Sequence, residues 1–236
     1  MSAPIVDIVG ITKQYGALRP LRIERLQVRA GEHVALIGFD QPAAEVLVSL
    51  LTGGVLPDSG TVAMFGQPTR DITDSDSWLA SLDRYGIVSD RAAILEAMSV
   101  VQNLSMPFTL DIEPPPADIR AKAEALATDA GISPAFWDRP CHGLSAVDRL
   151  RLRVARALAL APALLVLEHP SASLDRADVT PTAVAVRALL ERREVTALTL
   201  TMDREWASAA ASKSLTLEPA TGRMREGLLA RLGFRS

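Results

Sequence analysis

The stretch His33-Val-Ala-Leu-Ile-Gly38-Phe-Asp-Gln-Pro42-Ala-Ala-Glu45-Val-Leu47 decides how the chain is read. A β-type run ends at a glycine, a turn follows, and Val46, Leu47, Leu50 and Leu51 then fall on one side of a helical period. This is the layout of a phosphate-binding loop, in which N–H groups at a helix N-terminus cradle the anion. A working loop reads G-x-x-x-x-G-K-S/T, with a glycine for close backbone approach, a lysine for the terminal phosphates and a hydroxyl for Mg²⁺. Here Gly38 stands alone, and Ala43, Ala44 and Glu45 occupy the places of glycine, lysine and hydroxyl. A charge about 5 Å from a phosphate contributes roughly 3 kcal/mol at an effective dielectric of about 20, so losing the lysine and gaining Glu45 weighs upwards of about a thousandfold against phosphate. No nearby replacement cation is visible in the sequence, and Glu45 is expected to lie on the helix's own positive end. Taken alone, the segment also reads as an ordinary strand-loop-helix corner.

Around this stretch, short β-type runs (5–11, 61–65, 164–167, 196–200 and 214–217) alternate with helical patterns at 42–52, 117–130, 147–160, 179–193 and 203–211. That alternation predicts an α/β sheet. Gly53-Gly54 and Pro57-Asp58-Ser59-Gly60 punctuate it with turns. Glu113-Pro114-Pro115-Pro116, followed by an Ala-rich helical stretch, reads as a hinge into a mostly helical segment up to Pro140, part of a smaller lobe that starts near 91. The expectation is a single domain over 1–236 with a helical lobe at about 91–160 inserted in an α/β core.

The 236 residues are 48% apolar and 22% charged, which excludes a disordered or fibrous chain. One cysteine, Cys141, allows no internal disulfide and no cysteine-based zinc site. Met1 to Gly10 lacks the pattern of a secretory signal, and the longest apolar run, Ala157 to Leu167, falls short of the roughly 20 residues that span a bilayer. A membrane link is therefore expected through a partner. Only three of the 25 basic residues are lysines, Lys13, Lys122 and Lys213. Net charge is −3, and basic residues are too mixed with acidic ones for a nucleic-acid footprint.

Further motifs extend the pattern. Lys13-Gln-Tyr15-Gly16 precedes the loop, and Leu56-Pro-Asp-Ser-Gly60-Thr-Val-Ala-Met-Phe-Gly66 follows its helix. Gly143-Leu-Ser145-Ala-Val-Asp148-Arg-Leu-Arg151-Leu-Arg-Val-Ala155-Arg156 leads into Leu164-Leu-Val-Leu-Glu168-His169-Pro170-Ser-Ala-Ser173-Leu174-Asp175, and Thr199-Leu-Thr201-Met202-Asp203 comes last. In this order and spacing the chain resembles, nearly end to end, the nucleotide-binding domain of ABC transporters. The resemblance implies a P-loop-type α/β fold with a mixed sheet, a small N-terminal antiparallel β portion and a helical subdomain. It places Tyr15 at the adenine-stacking position, Ser145 at the signature LSGGQ, Glu168 at the magnesium-ordering Asp, His169 at the catalytic Glu, Met202 at the switch His and Asp90 at the usual Gln.

These substitutions imply a degenerate ATP-binding subunit that couples to transmembrane partners, near 90–107, without hydrolysing ATP itself. Binding of ATP with Mg²⁺ is expected to be weak or absent, and no metal site is read beyond Glu168. Two alternatives stay open: an ABC ATPase with slow hydrolysis, and a regulatory module outside transport. The resemblance also implies pairing with a second nucleotide-binding domain, a copy of itself or an intact ATPase chain, to which Ser145 and Asp175 would be offered. Location is expected at the cytoplasmic face of a membrane, held by partner subunits, with no nucleic acid bound. Among the residues singled out, His169 also reads as a structural strand-end histidine and His142 as an exposed loop residue. Arg149, Arg153 and Arg156 form one basic helical face, while Tyr15 either stacks adenine or covers a turn.

Overall fold

The computed structural model describes residues 3–227. Strands β1 (Val6–Lys13), β2 (Leu21–Val28), β4 (Ser59–Met64) and β5 (Gln67–Pro68) form an antiparallel sheet in the order β2-β1-β4-β5. The larger sheet takes β3 (His33–Ile37), β6 (Tyr85–Val88), β7 (Leu164–Glu168), β8 (Thr196–Thr201), β9 (Lys213–Glu218) and β10 (Arg223–Glu226) in the order β10-β9-β3-β8-β7-β6. All its pairings are parallel except β9 with β10, which makes it a mixed sheet.

Every residue of β3, β7 and β8 is buried, as parallel strands covered on both faces require. Alternation then sorts their side chains. Leu164 and Val166 point into a core shared with the antiparallel sheet and with Leu47, Leu50 and Leu51 of α1 (Gln41–Leu51). Leu165 and Leu167 point the other way, into a core closed by α5 (Ala146–Ala157), α6 (Arg176–Arg192) and α7 (Arg204–Ala210). A third cluster joins α3 (Val100–Ser105), α4 (Ala117–Asp129) and α5. Helix α5 serves both sides: Leu150 and Val154 enter the second core, Leu152 and Ala155 the third.

The predicted helices and strands are present with boundary shifts of a few residues. Elements that the sequence reading leaves unassigned include β2, α2 (Ser75–Leu82) and α3. Helix α2 has no buried residue and so lacks an apolar stripe. It is tied down by Trp78, whose indole N–H donates to the Thr52 carbonyl at 2.9 Å. Helix α3 is only six residues long and starts with a capping box between Ser99 and Gln102.

Strand β6 lies tight against the end of α5. A Cβ on Gly86 would sit 2.5 Å from the Ala157 carbonyl oxygen and 2.7 Å from Leu165 Cδ1. Gly86→Ala is therefore expected to cost about 1–3 kcal/mol through overpacking, read as a lower urea midpoint with an unchanged m-value; an unchanged midpoint would show that α5 does not hold β6 in this way.

Candidate functional site

The turn from β3 into α1 brings the singled-out residues together. Gly38 has φ 97°, a conformation that suits glycine, and its N–H donates to the Thr201 carbonyl at 3.2 Å. The N-cap of α1 is Asp40, whose Oδ1 accepts the Ala43 N–H at 3.0 Å. A carboxylate of the chain itself thus sits where helix N–H groups would face an anion. Pro42 removes one of those donors, and Ala43 and Ala44 are buried.

Asp40 also corrects the expectation for Glu45. Glu45 lies a full turn into α1 and does not cap it: Glu45 Oε1 accepts from Gln41 Nε2 at 3.0 Å, and Arg91 Nε stands 3.7 Å away. The N-cap reaches the free amides from outside the helix, which a residue inside the helix cannot do as directly.

Arg91 is the functional residue that the sequence reading missed. Its Nη2 donates to Glu168 Oε1 at 2.6 Å, and its backbone N–H and Nε both donate to the buried Ser89 hydroxyl, at 3.1 and 3.3 Å. Asp90, expected at the pocket, turns away and pairs with Arg153 at 2.6 Å. The motif comparison fell one position short: consecutive residues leaving β6 face opposite ways, so the neighbour of Asp90 enters the pocket. The cation that faces Glu45 thus comes from a different element.

Glu168 ends β7 with its side chain only 1% exposed. Burial pushes its carboxyl above the ordinary range, Arg91 pulls it down, and Glu45 adds a push upward. Glu168 Oε2 and His169 Nε2 are buried without a hydrogen-bond partner. His169 follows at φ 44°, its N–H donating to the Leu200 carbonyl. Met202 is 60% exposed. Beside it, Asp203 is partly buried, which would raise its pKa, yet donors from Ser171, Trp206, Glu205 and Arg176 hold its carboxyl below the usual range.

An open cleft of roughly 350 Å³ brings Lys13, Tyr15, Pro42, Glu45 and Arg91 together. Lys13 lines this cleft, where Asp58 pairs with it at 2.9 Å. Tyr15 packs partly against the first core. Ser145 caps α5, accepting the Asp148 N–H at 3.1 Å, whereas Asp175 caps α6 without a side-chain hydrogen bond. His142 is exposed and Cys141 buried. Arg149, Arg153 and Arg156 all grip the segment 90–96: Arg149 pairs with Glu96 at 2.5 Å, and Arg156 donates to the Ala92 and Ala93 carbonyls at 2.8 Å.

The protein-family model described as "ABC transporter" matches residues 21–172. The chain is 29% identical over 229 residues to the Fe(3+) ions import ATP-binding protein FbpC of Serratia marcescens, covering 97% of this chain and 62% of that protein. It is 26% identical over 235 residues to the lipoprotein-releasing system ATP-binding protein LolD of Alcanivorax borkumensis, covering 98% and 99%. Among solved structures, cbiO1 from Clostridium perfringens, part of the ABC transporter complex cbiONQ, superposes with a TM-score of 0.79 at 21% identity over 96% of this chain and 89% of that one. That likeness shows the fold.

A carboxyl whose pKa is raised on folding stabilises the fold at low pH, and the contribution fades as pH climbs above the unfolded value. For Glu168 that value is 4.5. Glu168→Gln removes the titration, so the melting temperature of the wild type relative to the variant is expected to fall from about pH 4 to about pH 7. Scanning calorimetry on both proteins checks this, and a constant difference across the range would contradict it.

Proposed function

Because the chain belongs to the ABC transporter family, we propose that it serves as a degenerate ATP-binding subunit of a membrane transport complex, coupling to transmembrane partner subunits without hydrolysing ATP itself. The observation that carries this reading is the charge arrangement of the pocket. Glu45 lines it with Lys13 and Arg91, and both cations are already paired, Lys13 with Asp58 and Arg91 with the buried Glu168 and with Glu45, while Asp40 caps the helix that carries Pro42 and Glu45. ABC cassettes bind ATP or ADP with Mg²⁺, and the residues here do not fit that group. A triphosphate arriving at α1 meets the Asp40 carboxylate on the Ala43 amide, a buried alanine in place of the lysine and a glutamate in place of the hydroxyl. The free Glu168 Oε2 suits a cation, but Arg91 already occupies the other oxygen of that carboxylate.

In this reading the subunit sits at the cytoplasmic face of the membrane through its partners. It pairs with a second nucleotide-binding domain, to which Ser145 and Asp175 are offered. Support comes from the family match and from the likeness to LolD over almost the whole of both chains. A second reading, slow hydrolysis at an altered site, draws on the unpartnered Glu168 Oε2 and His169 Nε2, one acid and one base at adjacent positions.

Calorimetry with Mg-ATP on the purified protein is expected to show no binding heat at about millimolar nucleotide, and phosphate release no turnover. Hydrolysis abolished by Glu168→Gln or His169→Ala would instead establish the second reading. Glu45→Ser takes one negative charge from the pocket and is expected to strengthen Mg-ATP binding roughly ten- to hundredfold; unchanged affinity would show that charge at Glu45 is not what opposes the nucleotide.

A further inference from the structure

The segment 89–96, which leaves β6 for the helical elements, has no regular structure of its own and is gripped from two sides. On the helical side, α5 holds it through Arg153 to Asp90, Arg156 to two carbonyls and Arg149 to Glu96, while Asn103 of α3 pairs with both the N–H and the carbonyl of Leu95. On the core side, the side chain that reaches in is Arg91, with Ser89 orienting it and Glu168 and Glu45 receiving it. One short segment therefore carries both the attachment to the helical elements and the attachment to the acidic pocket.

We propose that Arg91 is a tethered cation which occupies the pocket in place of a diffusible ligand and pins segment 89–96, and with it the helical elements, onto the α/β core when no nucleotide is bound. Glu45 on α1 and Glu168 on β7 belong to different elements and repel each other, and a guanidinium between them turns that repulsion into a bridge. Arginine suits the task because its fork reaches Glu168 from one nitrogen and Ser89 and Glu45 from another. The Arg91 side chain is 48% exposed, so water can reach the bridge and the latch is reversible. The proposal rests on the functional reading above, since the Mg²⁺ of a bound nucleotide would compete with Arg91 for Glu168.

The test is hydrogen exchange on the full chain without nucleotide. Arg91→Met alone also strands a buried carboxylate, so the deciding protein is the double variant Arg91→Met with Glu168→Gln. It is expected to melt close to the wild type while the amides of 91–96 exchange at least tenfold faster and those of β7 and β8 stay as protected as before. Wild-type protection over 91–96 in the double variant would overturn the proposal, leaving Arg91 as a counter-ion only. Should the double variant not fold, Arg91→Gln with Glu168→Gln decides, because it keeps two polar side chains and removes both charges: faster exchange over 91–96 supports the latch and wild-type protection overturns it. Because nucleotide is absent throughout, tight Mg-ATP binding would overturn the functional reading while leaving the exchange result standing.

Discussion

Glu168 closes β7 of a six-stranded sheet, between β8 and the edge strand β6 and with almost no access to water. An unpaired carboxylate in such a place costs several kcal/mol, so it must either stay protonated or be met by a cation. The cation arrives from 77 residues earlier in the chain. Parallel pairing makes this possible: β6 runs beside β7 with Val88 opposite Leu167, so the residue three beyond Val88 emerges next to Glu168. Once Arg91 is held there, the course of the segment behind it is set, and α5 must take up the segment's loose groups.

Helix α5 does so with the basic face that Arg149, Arg153 and Arg156 form by their spacing. Carbonyls in an irregular segment need donors as much as those in regular structure do. Arg156 satisfies those of Ala92 and Ala93 while partly buried, and burial pushes its own pKa down, with Arg153 nearby adding to the effect. Arg149 bridges the turn at 142–144 to Glu96, joining the start of α5 to the same segment. Exposed pairs of this kind contribute about 0–1 kcal/mol each, so their effect lies in geometry more than in stability. They align one helix with one loop, and the loop carries Arg91.

The architecture was legible because the strands that build it are unusually explicit. Val34–Ile37, Leu164–Leu167 and Thr196–Thr201 are unbroken apolar or β-branched runs, and each lies in a fully buried parallel strand. Strand β2 was hidden by its charges, Leu21-Arg-Ile-Glu-Arg-Leu, which alternate on a surface-facing sheet. At the site, the loop residues 38–45 could be placed from spacing, and what they contact could not. Asp40 was passed over because the family pattern directs attention to positions 43–45, although an Asp just before a helix is a capping signal readable without any family. Arg91 left no such signal: its role depends on strand pairing across 77 residues, and a motif aligned to its neighbour Asp90 points to the wrong side chain.

The two groups held to be offered to a partner domain do not weigh equally once their surroundings are known. Ser145 has local work, since its hydroxyl accepts the Asp148 N–H and donates to the Asp148 carboxylate at 2.8 Å. Losing a serine cap costs typically about 1 kcal/mol, enough for the helix itself to account for a serine at this position. Asp175 occupies the N-cap of α6 in extended backbone, yet its carboxylate makes no capping hydrogen bond. Helix α6 begins with the Asp178 N–H on the Asp175 carbonyl, a bond that any residue could provide. The carboxylate of Asp175 is thus unaccounted for by its own helix in a way that the Ser145 hydroxyl is not. Of the two, Asp175 is therefore the group free for a partner domain, and Ser145, although it looks more like a motif, is spoken for by α5.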